Sequence, residues 1–402
     1  MPRLDSGKSD TNGILLISTR LYPDIGGPAS YVFNLAKALT KHRVFPVVLT
    51  TQYNMKAKIL PDAPCHLYRL PFAVPDVKSS LLKQAVFSGL FLLLGILYGT
   101  FACLRHGIRI IHTNSPVISG LLGLILSRIL RLPLLYTVHG LTGVQQKWRR
   151  GSVSPVDRIL EYTVLKHSHL VTVVSPDYVK HVESISSRPA VIGSGVDVER
   201  FNRRGDERLT IQTNEKLGIN EGKVVLTTVT NLEIPEKASG VEDIIHAISS
   251  FDSNTRQRVA VLVVGSGARM NHLRALAQSL SVDDTIRFLG YRTDVPTILK
   301  ASDVFVLASH HEGSPIALLE AAASGCACIG SKTGGIPGIL ESECLFTPGD
   351  RMALASKLEE LVTNPERRRK LALVQSVHVR SHFSWDQIAH LMVLQYSRLS
   401  HY

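Results

Sequence analysis

The sequence predicts an α/β protein made of two tandem units, each a parallel sheet covered by helices on both faces. Short, continuous apolar runs of the kind that form strands buried on both sides recur along the chain. Stretches of helical length alternate with them, as a parallel sheet with crossover helices requires. The 402 residues also exceed what one ordinary core holds, since domains run to roughly 100–200 residues.

In order, Gly13 to Ser18 (GILLIS) reads as the first strand. A glycine-bearing loop, Thr19 to Ala29, follows, and Ser30 caps an amphipathic helix to Leu39. Val44 to Thr50, Ile108 to His112, Leu134 to His139, Leu170 to Val174 and Val191-Ile192 are further strands, with an apolar helix over Val117 to Leu130. A second series begins near Lys223. Its strands are Val224 to Thr230, Val259 to Gly265, Thr285 to Leu289, Asp303 to Ala308 and Cys326 to Gly330. The helices between them cover Val241 to Ser250, Met270 to Leu280, Val295 to Ala301 and Pro315 to Ala323. Two such series make two Rossmann-like domains, joined in the Gly- and charge-rich stretch Gly193 to Arg204. The expected boundaries are 1–195, 196–380 and a tail, 381–402, whose amphipathic helix packs back on the first domain.

The formal net charge is +12, which favours anionic partners such as nucleotide diphosphates or an acidic membrane face. The basic residues are scattered, and no aromatic-studded basic platform or zinc-finger spacing points to nucleic acid. The five cysteines lack metal-ligand spacing and fit reduced, mostly core positions in a cytoplasmic protein. Met1 to Thr11 is polar, with no signal-peptide character. Ala85 to Leu104 carries no charge and is long enough to span a bilayer. Three readings compete: a span, a helix half-sunk in the membrane interface, and a helix packed on the first sheet. A single crossing would put Gly26-Gly27 and Glu312 on opposite sides of the membrane and cut one sheet in two. The expectation is peripheral contact at the cytoplasmic face through 85–104.

The strongest local signal is His310-His311-Glu312-Gly313-Ser314-Pro315, followed by a helix ending at Gly325. Ser314 has the chemistry of an N-cap and Pro315 that of a first helical residue. Glu320 falls on an otherwise apolar helix face with Ile316, Leu319 and Ala323, where a carboxylate is costly unless hydrogen-bonded. Two ribose hydroxyls would satisfy it; an arginine is the alternative. Backbone N–H groups from Gly313 to Ile316 form an anion site suited to a diphosphate. Glu312 precedes the helix at the C-terminal end of a strand, where ligands of open α/β sheets bind, or is simply a solvated loop residue. Lys237 follows another such strand and could meet phosphates, or lie on the surface. His139 ends a strand, in a site or as a satisfied structural histidine. No Asp-x-Asp loop argues for a metal. Gly265-Ser266-Gly267 lacks the third glycine and the acidic residue of a dinucleotide fingerprint, so neither metal nor NAD is expected.

Glu312 and Glu320 match the two glutamates of the E-x7-E motif, and the chain resembles family 4 of the retaining glycosyltransferases (GT4). Further matches run in order along almost the whole length. They include Gly26-Gly27-Pro28, Tyr136-Thr137-Val138-His139-Gly140, Val174-Ser175-Pro176, Gly195-Val196-Asp197, Val264-Gly265-Ser266-Gly267, Phe288-Leu289-Gly290 and Gly334-Gly335-Ile336-Pro337. The resemblance implies the GT-B fold: two tandem Rossmann-like domains with a deep cleft between them, the first binding acceptor and the second nucleotide sugar. It implies that Glu312 lies near the donor sugar, Glu320 binds the ribose, Lys237 holds the diphosphate and His139 stands against the sugar. His139, Glu312 and Lys237 are then the catalytic set. Gly26, Gly27, Asn231, Lys237, Gly265, Gly267, Glu312, Gly313, Ser314, Pro315, Ile316 and Glu320 are donor-binding.

Two departures stand out. Asn231 occupies the place of the family's usual arginine, so that Arg269 or another cation substitutes or the diphosphate is held more loosely. Gly338 stands where a glutamate often follows the Gly-Gly-x-Pro turn. The implied activity is metal-independent transfer of a hexose from a UDP- or GDP-sugar to a hydroxyl acceptor, with retained configuration. The basic surface and the apolar segment point to a lipid-linked saccharide or polysaccharide precursor as acceptor. The alternatives are a nucleotide-sugar epimerase of the same fold and a non-catalytic sugar-nucleotide-binding protein.

Overall fold

The computed structural model describes residues 12–21, 27–51, 65–75, 79–114, 117–140, 155–202 and 207–399. The chain divides into two compact units. Unit 1 comprises 1–174, 178–192 and 388–402; unit 2 comprises 175–177 and 193–387. Apart from the short excursion at 175–177, the crossings fall at 192/193 and 387/388, beside the expected boundaries at 195/196 and 380/381. Backbone pairing explains the shift. The Val196 N–H donates to the Phe383 carbonyl and the Trp385 N–H to the Val196 carbonyl, at 2.8 and 3.3 Å, so the linker and the start of the last helix are tied together in unit 2.

Unit 1 runs β1 (Asn12–Ile17), α1 (Gly27–Lys41), β2 (Val44–Thr51), β3 (His66–Leu70), α2 (Leu81–His106), β4 (Ile108–Asn114) and α3 (Val117–Leu130). It continues with β5 (Leu134–Val138), α4 (Pro155–His167), β6 (Leu170–Val173), α5 (Val179–Glu183) and β7 (Ala190–Val191). The seven strands form one parallel sheet in the order β3-β2-β1-β4-β5-β6-β7. Chain order reverses between β1 and β4, and ligands of such sheets bind at the strand ends beside that reversal. Absent from the sequence-based expectation is β3, where His66 is exposed, Leu67, Tyr68 and Arg69 are half-buried and only Leu70 is buried, so no buried apolar run marks it.

Unit 2 runs α6 (Glu207–Lys216), β8 (Val224–Val229), α7 (Pro235–Ser249), α8 (Ser253–Gln257), β9 (Val259–Val264), α9 (Met270–Ser279) and β10 (Ile286–Gly290). It continues with α10 (Val295–Lys300), β11 (Val304–Leu307), α11 (Ile316–Ala323), β12 (Ala327–Ser331), β13 (Leu345–Phe346), α12 (Arg351–Thr363) and α13 (Pro365–His382). A last helix, α14 (Trp385–Leu399), begins in unit 2 and ends in unit 1. The sheet order is β10-β9-β8-β11-β12-β13, with its reversal between β8 and β11. Val304, Phe305 and Val306 of β11 are fully buried at its centre. The chain is thus a pair of parallel-sheet, Rossmann-like units.

Inside unit 1 a buried polar chain joins strands to the tail. His112 Nδ1 lies 2.7 Å from the Tyr396 hydroxyl on α14, and its Nε2 lies 2.7 Å from the Thr137 hydroxyl. Thr137 in turn meets the Thr172 hydroxyl at 2.7 Å. Burial first, and the neighbouring His139 second, push His112 down to about 3 from the usual 6.5. The unfolded chain therefore takes up a proton near pH 6.5 that the folded chain refuses until about pH 3. Stability from this group is complete above pH 6.5 and falls as pH drops towards 3, by about 1.4 kcal/mol per unit. Tm measured from pH 7.5 down to pH 5 is expected to fall more steeply for the wild type than for His112→Gln. Parallel profiles would contradict it.

Candidate active site

The two strands flanking the reversal in unit 2 deliver the two charged groups picked out in the sequence. Helix α7 starts at Pro235, six residues earlier than its apolar periodicity predicts, so Lys237 lies in the first helical turn after β8 rather than in a loop. Proline at the start of a helix forfeits no hydrogen bond, which fixes this early start. Glu312 lies in the loop after β11. Gly240, one turn beyond Lys237, lets α7 touch that loop: a Cβ there would stand 2.4 Å from the Ala308 carbonyl oxygen. The His310 N–H donates to the Glu236 carbonyl at 3.0 Å, closing the seam. Across it Lys237 Nζ and Glu312 Oε1 form an ion pair at 2.8 Å. The Glu312 side chain is 6% exposed and that of Lys237 25%, so the cation keeps an open side while its carboxylate is almost enclosed.

The Gly-Gly-x-Pro turn braces Glu312 from the other side. Gly334 has φ +57°, and a Cβ there would lie 1.8 Å from the Glu312 carbonyl oxygen. The Gly335 N–H donates to the Gly313 carbonyl at 2.9 Å, and the Gly334 N–H to Asp177 Oδ2 at 2.8 Å. Gly334→Ala is expected to cost at least about 2 kcal/mol, from the left-handed backbone and the displaced Glu312 loop together. A Tm equal to wild type would refute this.

Helix α11 starts at Ile316 with Pro315 as its cap, so the expected Ser314 cap is not made. The Ser314 hydroxyl instead accepts the Ser194 N–H at 2.7 Å. Pro315 has no N–H, and that of Ile316 donates to the Ser314 carbonyl at 3.0 Å. The backbone donors available to an anion here narrow to Gly313 and Ser314. Glu320 is half-buried on α11. Burial pushes its carboxyl up to about 7, against the pull of Arg200. Among the described residues neither an ion pair nor a hydrogen bond fixes that carboxylate on an arginine.

Asn231 is exposed, and its side-chain oxygen accepts the Glu233 N–H at 2.9 Å, bending the loop after β8. That loop is laced to the one after β9. Leu232 N–H meets the Ser266 carbonyl at 3.1 Å, and the Ala268 N–H meets the Glu233 carboxylate at 2.8 Å. Gly265 and Gly267 permit the contact, since a Cβ on Gly267 would lie 2.1 Å from the Glu233 nitrogen. Arg269 caps α9 beside them and is exposed.

Residues not singled out for roles support these. Buried Asp243 on α7 accepts from His310 Nε2 at 2.6 Å and from Arg351 Nε at 2.8 Å, pinning the start of the Glu312 loop. A charged residue on the buried face of α7 was the available signal. His311 sits among Glu312, Asp177 and Glu236, which draw its pKa up, but burial outweighs them and holds it below the usual histidine range. His310 and His311 thus turn to different partners. Among the described residues no group of three or more His, Cys, Asp or Glu is placed to hold a metal ion.

In unit 1, His139 follows β5. Its Nε2 lies 2.9 Å from Asn114 Oδ1, and its ring meets Tyr31 edge-on at 4.6 Å. The amide oxygen can only accept, so Nε2 carries the proton. Burial holds His139 at about 3, and it is neutral at physiological pH. Asn114 ends β4, and Tyr31 lies on α1, which Gly27 opens after β1, so elements following or ending both strands beside the unit 1 reversal meet His139. Gly26 lies outside the described residues.

Two open parallel sheets, one carrying a Lys–Glu pair at its reversal, define a protein of the GT-B class. Residues 25–200 match the family described as Glycosyltransferase Family 4, and 211–372 match Glycosyl transferases group 1. Between them the two matches cover most of the chain, and it belongs to the family 4 glycosyltransferases of GT-B fold. It is 29% identical over 289 residues to a D-inositol 3-phosphate glycosyltransferase of Corynebacterium glutamicum, covering 68% of each chain. It is 34% identical over 248 residues to the UDP-Gal:alpha-D-GlcNAc-diphosphoundecaprenol alpha-1,3-galactosyltransferase of Escherichia coli, covering 58% of this chain and 60% of that one. Among solved structures, sucrose-phosphate synthase of Thermosynechococcus elongatus shares the fold with a TM-score of 0.80 at 23% identity, over 96% and 99% of the two chains. Anabaena HepE in complex with UDP and glucose does so with a TM-score of 0.76 at 18% identity, over 96% and 100%.

Proposed function

We propose that the protein transfers a hexose from a UDP- or GDP-sugar to a hydroxyl of a lipid-linked saccharide, with retained configuration and without a metal. The observation that carries this reading is the Lys237–Glu312 pair at the β8/β11 reversal, beside the backbone donors of Gly313 and Ser314. A diphosphate entering there exchanges the Glu312 carboxylate for phosphate on Lys237, while Glu312 turns to sugar hydroxyls. As the glycosidic bond breaks, charge builds on the leaving diphosphate, where Lys237 and those N–H groups stabilise it. The acceptor hydroxyl attacks on the same face and passes its proton to the departing phosphate oxygen, so no side-chain nucleophile is needed. His139, neutral and held by Asn114, is a hydrogen-bonding group at the strand ends of unit 1. Asn231 shapes the loop rather than supplying charge, and Arg269 is the cation nearest in sequence to the laced loops. Support for the acceptor class comes from the Escherichia coli relative, whose name specifies a UDP-sugar and a diphosphoundecaprenol-linked acceptor. The same reading puts the enzyme at the cytoplasmic face of a membrane.

Incubating the purified protein with radiolabelled UDP- and GDP-sugars and membrane extract should move label into the organic-extractable fraction, with the donor's anomeric configuration in the product. Donor consumption without acceptor would mark an epimerase, and absence of both turnover and nucleotide binding would end the catalytic reading.

Glu320 adds a pH signature. Its carboxylate accepts two ribose hydroxyls only when ionised, and the free protein holds the proton until about pH 7. UDP affinity is therefore expected to weaken by up to about tenfold per unit below pH 7, and to be level above it. Glu320→Gln should bind more weakly at pH 8 and lose the slope. A wild-type profile level through pH 6 would contradict the ribose assignment.

A further inference from the structure

Helix α2 presents two unlike faces. One is packed: Phe91, Ala102 and Cys103 are buried, and Gly95 and Gly99 let the helix close on Leu122 and Leu126 of α3. On the opposite face Val86, Leu90, Leu93, Leu97, Phe101 and Leu104 form one line at three- and four-residue spacing, each 41–73% exposed. The apolar surface continues on the neighbouring helices through Ile129 of α3 and Val156, Ile159 and Tyr162 of α4. Soluble surfaces seldom leave so long an apolar stripe uncovered. Its charge setting is one-sided. From Val77 to Val156 the sequence holds no Asp or Glu but nine Lys or Arg, of which Lys83, Arg105, Arg109, Arg128 and Arg131 are exposed.

We infer that this face of unit 1 docks the protein on an anionic lipid bilayer, with α2 lying in the plane of the interface and not across it. An apolar stripe flanked by Lys83, Arg105, Arg109, Arg128 and Arg131, with Asp157 on α4 at its margin, matches acyl chains beneath acidic headgroups. The helix is long and apolar enough to cross by length and composition. Crossing would strip Phe91, Ala102 and Cys103 from the core they complete. The inference deepens the lipid-linked-acceptor reading, but its test follows vesicle binding alone, so either can fail without the other.

The full chain should float with vesicles of phosphatidylcholine mixed with phosphatidylglycerol at least about tenfold more strongly than with pure phosphatidylcholine. Leu93→Gln/Leu97→Gln should lower partition onto the mixed vesicles by roughly tenfold or more with Tm unchanged. Leu97→Cys in a Cys65→Ser background, labelled with an environment-sensitive fluorophore, should shift to the blue on mixed vesicles. Unchanged partition of the double variant, or no spectral shift, overturns the inference. So does retention of the wild type through alkaline carbonate, which marks a span. Self-association without vesicles that the double variant abolishes assigns the face to a second copy instead.

Discussion

Lys237→Ala is expected to lower kcat/KM for the nucleotide sugar by roughly 10²- to 10³-fold and to weaken UDP binding, with the fold intact. The magnitude is that of removing one preorganised donor from a developing oxyanion. The side chain carries the cation of an ion pair on the first turn of α7 and is 25% exposed, so its loss opens no core cavity. It leaves Glu312 enclosed with Glu236 and Asp177 near His311, a carboxylate cluster that would repel a diphosphate. Initial-rate kinetics and calorimetry separate the effects: both kcat and UDP affinity should fall. Loss of affinity with kcat retained would make Lys237 a binding residue only.

Glu312→Ala is expected to cut kcat by roughly 10²-fold while UDP binds more tightly than to the wild type. In the free protein the Glu312 carboxylate occupies Lys237 at 2.8 Å. Removing it frees the cation for phosphate and deletes the acceptor of sugar hydroxyls. The two variants thus move nucleotide affinity in opposite directions, although both suppress turnover. Their double mutant should show a coupling of about 0.5–3 kcal/mol in UDP binding, as expected for residues in direct contact. Additive effects would mean that the pair does not govern the phosphate site.

Much of this was legible in the sequence because parallel strands buried on both faces are continuous apolar runs. Val259–Val264 and Val224–Val229 are such runs, and their alternation with helices carries the fold class. The spacing of Glu312 and Glu320 and the position of Lys237 were equally readable. What periodicity could not show was contact. Nothing local says that Lys237 and Glu312, 75 residues apart, touch. That follows from the adjacency of β8 and β11, a long-range pairing. The α7 start was misplaced because its first turn, Pro235 to Lys237, is polar and adds nothing to an apolar period. The Ser314 cap failed for a tertiary reason, since Ser194 claims the hydroxyl from 120 residues away. Helices α12 and α13 escaped because the exposed Met352, Leu373 and Val377 blur their amphipathic pattern. Conversely, the apolar run 85–104 proved one-sided only once Gly95 and Gly99 were seen against α3.

A nucleotide diphosphate is expected to exchange places with Glu312 on Lys237, and a crystal structure with a bound UDP- or GDP-sugar decides the matter. Lys237 Nζ is then expected within hydrogen-bond distance of a phosphate oxygen and no longer on Glu312. The Gly313 and Ser314 N–H groups should face the diphosphate, with the ribose hydroxyls on Glu320. A donor bound with the Lys237–Glu312 pair intact, or bound away from the β8/β11 reversal, would contradict it.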